Sequence, residues 1–216
     1  MTRTAQRTVK AVLDRLLALA ALVVLAPLFG LIAAAIVLED RGPVLYRQRR
    51  AGRGGRPFAV LKFRSMVVDA EHRGLGLNVA EGDDRITRTG RLLRDWSLDE
   101  LPQLINVARG EMSIVGPRPG LVDQAARYDA FQRRRLEVRP GLTGWAQVNG
   151  RNALSWEERI ALDVWYVDHA SLRVDLEILR RTPGVVLRKE GLFGAGGVNA
   201  DLGGSTGAKP GDQPPR

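Results

Sequence analysis

Residues 16–38 read LLALAALVVLAPLFGLIAAAIVL, 23 positions without a charge. As one straight helix this stretch is roughly 35 Å long, enough to cross a bilayer core of about 30 Å. A secretory signal has a shorter apolar region, about 7–15 residues, although Ala33-Ala34-Ala35 imitates a cleavage site. A helix buried in a soluble core is a poorer fit, because the run is apolar on every face. Pro27 divides it into two arms of 11 residues, 16–26 and 28–38. Each arm is only about 16 Å long, near half the core thickness. Proline removes its own N–H bond to the Val23 carbonyl and disfavours helical geometry at Ala26.

The flanks work against a simple crossing. Arg3, Arg7, Lys10 and Arg15 precede the run. Residues 41–64 follow it with eight bases (Arg41, Arg47, Arg49, Arg50, Arg53, Arg56, Lys62 and Arg64) and no acid. Basic flanks belong in the cytoplasm, and here both sides are basic. A bent, re-entrant hairpin resolves the conflict. A kinked single span is the alternative, and the pattern alone leaves both open. The local charge of +8 nearly equals the +9 of the whole 216-residue chain, which has 33 Lys+Arg against 24 Asp+Glu. Such a balance points to an anionic partner: nucleic acid, anionic lipid or phosphorylated substrate. Zero cysteines exclude disulfide scaffolds, thiolate metal sites and thiol catalysis, and two histidines argue against a His-rich metal centre.

Beyond the apolar run, residues 44–48 and 58–64 read as strands around the glycine-rich turn 52–56. Residues 69–85 read as a loop, and 86–96 and 98–107 as short helices. A basic amphipathic helix is expected over 121–138, and further helices over 155–169 and 172–188. In the last, Thr182-Pro183 marks a break or a fresh start. Residues 191–216 hold 8 of the 24 glycines and three prolines, the composition of a disordered tail.

No G-x-S-x-G, H-E-x-x-H or G-x-x-x-x-G-K-[ST] pattern is present. The chemistry-bearing stretch is instead Arg94-Asp95-Trp96-Ser97-Leu98-Asp99-Glu100-Leu101-Pro102-Gln103-Leu104. Ser97 and Glu100 fit a capping box, which accounts for Glu100 without catalysis. Pro102 spoils that box, and the helix can equally begin beside it. Either start leaves Asp99 and Glu100 at a helix N-terminus, where a carboxylate can hold Mg²⁺ or attack phosphorus. Arg118, fixed between Pro117 and Pro119, and Arg139, before Pro140-Gly141, are rigid cations suited to phosphate or simply surface turns.

Taken in order, these segments resemble the bacterial sugar transferases, the monotopic phosphoglycosyl transferases. The resemblance runs from Lys10 and Asp14 through Pro27, Gly42-Pro43-Val44, Gln48-Arg49-Arg50-Ala51-Gly52, Phe58 and Lys62-Phe63-Arg64-Ser65-Met66. It continues through Asp84-Arg85-Ile86-Thr87, Ser97 to Leu104, Asn106 and Gly116-Pro117-Arg118-Pro119. It ends with Arg139-Pro140-Gly141-Leu142-Thr143-Gly144 and Gln147-Val148-Asn149-Gly150-Arg151. The match is to the short members, which consist of the catalytic domain alone.

The resemblance implies a mainly helical α+β fold in three parts. Residues 1–40 form a monotopic, re-entrant membrane hairpin broken at Pro27, residues 41–190 a cytoplasmic catalytic domain with short strands, and residues 191–216 the tail. It implies transfer of a phospho-sugar from a UDP-sugar to undecaprenyl (polyprenol) phosphate, releasing UMP, at the cytoplasmic face of the bacterial inner membrane. Asp99 is then the nucleophile and a ligand of Mg²⁺, Glu100 its partner, and Lys62, Arg64, Arg94, Arg118 and Arg139 the phosphate clamp. Membrane lipid is an expected partner and nucleic acid is not; the oligomeric state is not indicated. Three departures stand out: Ala26 where many members have serine, Asp95 where a base is common, and the Thr182-Pro183 interruption. The competing reading is a non-enzymatic, membrane-tethered basic module that binds nucleic acid or anionic lipid through residues 41–64.

Overall fold

A computed structural model describes residues 3–74, 76–189, 191, 198 and 199. The chain is mostly helical, with three two-stranded sheets among the described residues. Its largest element is α1, Arg3–Asp40, the one described helix long and apolar enough to cross a membrane. The backbone stays helical through Pro27, so the expected division into two helices is not seen as a gap. Proline removes a single N–H donor, and side chains before and after Pro27 pack against the rest of the chain. Ala18, Leu22 and Leu25 pack with Val60, Leu104, Val107 and Met112. Leu28, Phe29, Ile32 and Ile36 pack with Phe63, Leu93, Leu98 and Leu101.

The buried positions of α1 recur every three or four residues, as one stripe of a helix requires. The opposite side is open: Val23, Val24, Leu31 and Leu38 are 70–83% exposed. Polar clamps hold both ends to the rest of the chain. Near the start, Lys10 pairs with Asp175 at 2.8 Å, and Ser113 Oγ donates to Asp14 at 2.5 Å. At the finish, Asp40 pairs with Arg64, and Glu39 accepts from the N–H groups of Arg88 and Thr89.

Strands β1, Leu45–Ala51, and β2, Pro57–Phe63, pair antiparallel around the turn at Arg53–Gly55, as expected. Gly54 and Gly55 take φ 66° and 76°, which suits a residue without Cβ. Residues 64–87 are largely irregular and include β3, Val79–Ala80. Arg85 organises this loop by donating to the carbonyls of Ala70, Arg73, Gly76 and Asn78 while pairing with Asp83.

Helix α2, Arg88–Asp95, is capped by Thr87, whose Oγ1 accepts from Gly90 N–H at 2.9 Å. A short turn, Leu98–Glu100, leads to α3, Gln103–Arg109, closed by Gly110 at φ 78°. Strand β4, Ser113–Val115, pairs in parallel with β5, Gly141–Thr143. The single helix expected over 121–138 is three pieces: α4, Val122–Ala126, α5, Ala130–Arg133, and a turn at Arg134–Glu137. Asp129 starts α5 afresh through a capping box with Gln132, a local signal stronger than the apolar periodicity.

Helices α6, Trp145–Val148, α7, Trp156–His169, and α8, Leu172–Leu187, follow, and β6, Val198–Asn199, pairs with β3. Pro183 does not break α8. The Thr182 hydroxyl donates back to the Ile178 carbonyl at 2.8 Å and also meets Thr143 across to β5. The expected tail lies almost wholly outside the described residues.

Candidate active site

The stretch around Asp99 folds as neither simple helix start allowed by its sequence. Ser97 is left-handed at φ 55° and caps nothing, so the Ser97–Glu100 box is not formed. Its hydroxyl instead accepts from Arg151 at 3.2 Å. The tight turn Leu98–Glu100 points Leu98 and Leu101 at the α1 cluster around Ile32 and Ile36, while α3 begins after Pro102. The leucines that flank the two carboxylates therefore pack over the later part of the apolar helix.

Their surroundings differ sharply. Glu100 accepts two bonds from Arg118, Nη1 to Oε2 at 3.1 Å and Nη2 to Oε1 at 2.7 Å. Lys62 Nζ adds a third at 3.0 Å. Burial alone would raise its pKa, but Arg118 and Lys62 overcome that and hold Glu100 well below the usual carboxylate range. Asp99 is 7% exposed, and among the described residues no donor bonds to its carboxylate. Burial pushes its pKa up, Lys62 opposes, Glu100 adds to the rise, and Arg94 and Arg118 oppose it further. One carboxylate is thus a fixed anion locked in a fork, and its neighbour is a desolvated carboxylate that no donor among the described residues holds.

A cleft of about 320 Å³ opens beside Asp99, and Lys62, Arg64, Arg94 and Arg118 all line it. Five of the seven polar residues expected at the site are therefore gathered there, with Glu100 held just behind by two of them. They are not equivalent. Lys62 and Arg118 hold Glu100, and Arg64 holds Asp40 at the end of α1. Arg94 makes only a 3.4 Å contact with Ser65 Oγ, so its guanidinium is the cleft cation least committed to the protein. Arg139 stands apart: the charged groups acting on it are Arg15, Arg53 and Asp14, none of them in the cleft.

Arg118 owes its placement to a loop whose every carbonyl is held. Pro117 O accepts from Gly141 N at 2.9 Å and Gly120 O from Ala51 N at 2.8 Å. Arg118 O accepts from Arg135 at 2.8 Å and Pro119 O from Arg50 at 3.2 Å. Arg135 is 4% exposed, paired with Asp163 at 2.5 Å, and lies over the rings of Tyr128 and Trp156. This brace was not expected from the sequence, because it draws on the segment read as one amphipathic helix. Arg151 is the other residue missed. Burial and the nearby Arg118 lower its proton affinity, and Glu100 and Asp99 raise it, which places it at the same centre. Its left-handed φ of 51° after Gly150 at φ 138° is a strained turn, visible only in three dimensions.

No group of three or more His, Asp or Glu able to cage a metal occurs among the described residues. With both Glu100 oxygens engaged, the protein offers one carboxylate, Asp99. That donor set suits Mg²⁺, which is commonly held by one or two carboxylates and completed by water and substrate phosphates.

The bacterial sugar transferase family matches residues 5–189 of this chain. The chain is 48% identical over 168 residues to an uncharacterized sugar transferase of Bacillus subtilis, covering 78% of this chain and 82% of that protein. It is 42% identical over 191 residues to an exopolysaccharide production protein of Rhizobium meliloti, covering 82% and 84%. It is 46% identical over 184 residues to a UDP-glucose:undecaprenyl-phosphate glucose-1-phosphate transferase of Caulobacter vibrioides, covering 80% and 67%. The match takes in both ends of α1, the Asp99–Glu100 turn and the braced Arg118 loop, and the chain belongs to the bacterial sugar transferase family.

Proposed function

We propose that the protein transfers a sugar 1-phosphate from a UDP-sugar to undecaprenyl phosphate, as the first membrane step of surface glycan synthesis. The observation that carries this reading is the pairing of a bare, buried Asp99 with an arginine-clamped Glu100 in a cleft beside an exposed apolar helix. An Asp99 oxygen attacks the β-phosphorus of the donor. The bond from that phosphorus to the bridging oxygen breaks, and UMP leaves with the electron pair. An oxygen of undecaprenyl phosphate then attacks the same phosphorus and releases the Asp99 carboxylate. Arg94 and Lys62 face the cleft where negative charge gathers, and preorganised cations contribute most there. Glu100, already ionised, is placed to accept the proton of an incoming phosphate monoester. Asp99 would hold Mg²⁺, which would supply further charge neutralisation to the donor's phosphates.

The same clamps support a re-entrant topology. From Lys10 to Asp40 a straight helix would extend about 45 Å, well over the core thickness of a bilayer. A single crossing would put its two ends on opposite faces. Yet Lys10 is held by Asp175 and Asp40 by Arg64, both within the one catalytic body. A re-entrant course bent near Pro27, with the body on the cytoplasmic face of the inner membrane, meets both demands. The non-enzymatic basic module leaves the burial of Asp99 without a reason. In membranes carrying the protein, UMP release from a UDP-sugar should require undecaprenyl phosphate for turnover and disappear in Asp99→Asn. Full activity in that variant would overturn the mechanism.

A further inference from the structure

Three arginines outside the cleft converge near the start of α1. Arg139 precedes β5, and the carbonyl of Pro140 beside it accepts from Ser113 N–H at 2.8 Å. The Ser113 hydroxyl in turn donates to Asp14 at 2.5 Å, which brings Arg139 alongside the Asp14-Arg15 turn of α1. Arg15 has its guanidinium packed over Gly110 at the end of α3, where a side chain would collide with it. From the other side comes the turn of Arg53–Gly55. Gly55 lies against Leu136, three residues before Arg139. Arg139 feels Arg15 and Arg53 as like charges, and Asp14 is the one opposing carboxylate.

That carboxylate is already engaged by Lys10 and Ser113. Among the described residues, Arg15, Arg53 and Arg139 have no ion pair and no hydrogen bond of their own side chains. Three guanidinium groups from three elements, one of them partly buried, are therefore gathered without acceptors. Like charges so close repel unless an anion intervenes, and guanidinium forks match phosphate oxygens.

The position selects the anion. Arg15 is the last charged residue before the apolar run of residues 16–38. The exposed apolar face begins at once, with Leu16 58% and Leu17 54% open. On the membrane reading above, on which this step rests, Arg15 lies at headgroup depth, and so do the two arginines beside it. We propose that Arg15, Arg53 and Arg139 form a binding site for the phosphodiester headgroup of an anionic phospholipid. The site is separate from the transfer cleft and fixes the depth and tilt at which the catalytic body rests on the bilayer.

The test uses full-length protein in neutral detergent with added phosphatidylglycerol or phosphatidylcholine, and native mass spectrometry to count bound lipid. Wild type should retain one phosphatidylglycerol in preference to phosphatidylcholine. The triple variant Arg15→Gln, Arg53→Gln, Arg139→Gln should lose that preference. Each base near an anionic surface is worth about fivefold in binding, so the loss should exceed tenfold. Arg47→Gln, Arg49→Gln, Arg56→Gln removes the same charge from exposed positions of the same basic stretch and should retain the bound lipid. Equal loss in both triples would reduce the effect to net charge and overturn the proposal, as would unchanged binding in the first. A raised KM for undecaprenyl phosphate with phosphatidylglycerol binding intact would assign the site to the lipid substrate and equally overturn it. Failure of the membrane reading itself is separable, because wild type would then not sediment with membranes at all.

Discussion

Arg118→Gln isolates the feature that separates the two carboxylates. Glu100 holds three charge-assisted hydrogen bonds, and this change removes two of them, at 2.7 and 3.1 Å, leaving Lys62 alone. Breaking one partner of a buried pair costs about 3–5 kcal/mol, because the other charge is left under-compensated. Glu100 has its pKa depressed in the folded state, so its contribution to stability is present above the unfolded value and is lost as pH falls through the folded value. Without Arg118 the burial contribution dominates and that window moves upward. If the ionised form of Glu100 serves the acceptor step, the acidic limb of turnover moves to higher pH with it. The rate at the plateau should fall by about 10²-fold, the usual cost of losing one preorganised donor at a phosphoryl-transfer site. The assay is UMP release against pH, with the donor step read separately as the burst before acceptor is added. Arg118→Lys, which keeps one charge but not the fork, should fall between the two. An unchanged acidic limb in Arg118→Gln, whatever the rate, would refute the assignment of Glu100 as a clamped anion.

Three further outcomes follow from the geometry. Asp99→Asn should abolish the UMP burst while the protein still sediments with membranes, since Asp99 makes no hydrogen bond that holds the fold. Arg135→Gln frees the Arg118 carbonyl and strands Asp163, so thermal melts should show a loss of about 3–5 kcal/mol, with kcat reduced more than KM is raised. Because the chain has no cysteine, single cysteines at Thr8 and Arg41 can report both ends of α1. Both should react with an impermeant thiol reagent from the same face, and opposite-face labelling would exclude the re-entrant course.

The sequence revealed the elements whose cause is local. The β1–β2 hairpin follows from short strands around a glycine turn, and α7 from its apolar stripe. Asp99 and Glu100 were visible as adjacent carboxylates among arginines, yet their opposite states were not. That difference depends on Arg118, 18 residues away, and Lys62, 38 residues away. The missed break at 127–129 had a readable cause in Asp129 and Gln132, overshadowed by the apolar repeat. Pro183 was given too much weight as a break. Pro27 and Pro183 each lie within continuous helix, because neighbouring contacts compensate for one lost donor. Arg139 was assigned to the phosphates through its rigid Arg-Pro-Gly turn, but a rigid turn says nothing about which surface it serves.

The division of the cations explains why so basic a site need not bind its product too tightly. If every base in the cleft were free, a diphosphate and a phosphate monoester would meet an undivided positive field and leave slowly. Instead Glu100 balances one of the two charges on Lys62 and Arg118, and Asp40 balances Arg64. Arg94 keeps its fork nearly uncommitted beside Asp99. Charge that the protein itself balances does little to hold the ground state. It becomes available where Glu100 takes up a proton, because the two cations are then released toward the phosphates. On the proposed mechanism, the Glu100 fork would couple proton transfer from the acceptor to electrostatic stabilisation of the transferring phosphorus. On this account Glu100→Gln differs from Arg118→Gln. It frees Lys62 and Arg118 permanently, so the donor should bind more tightly while turnover to the lipid acceptor falls. A Glu100→Gln variant that bound donor no better than wild type would break the coupling.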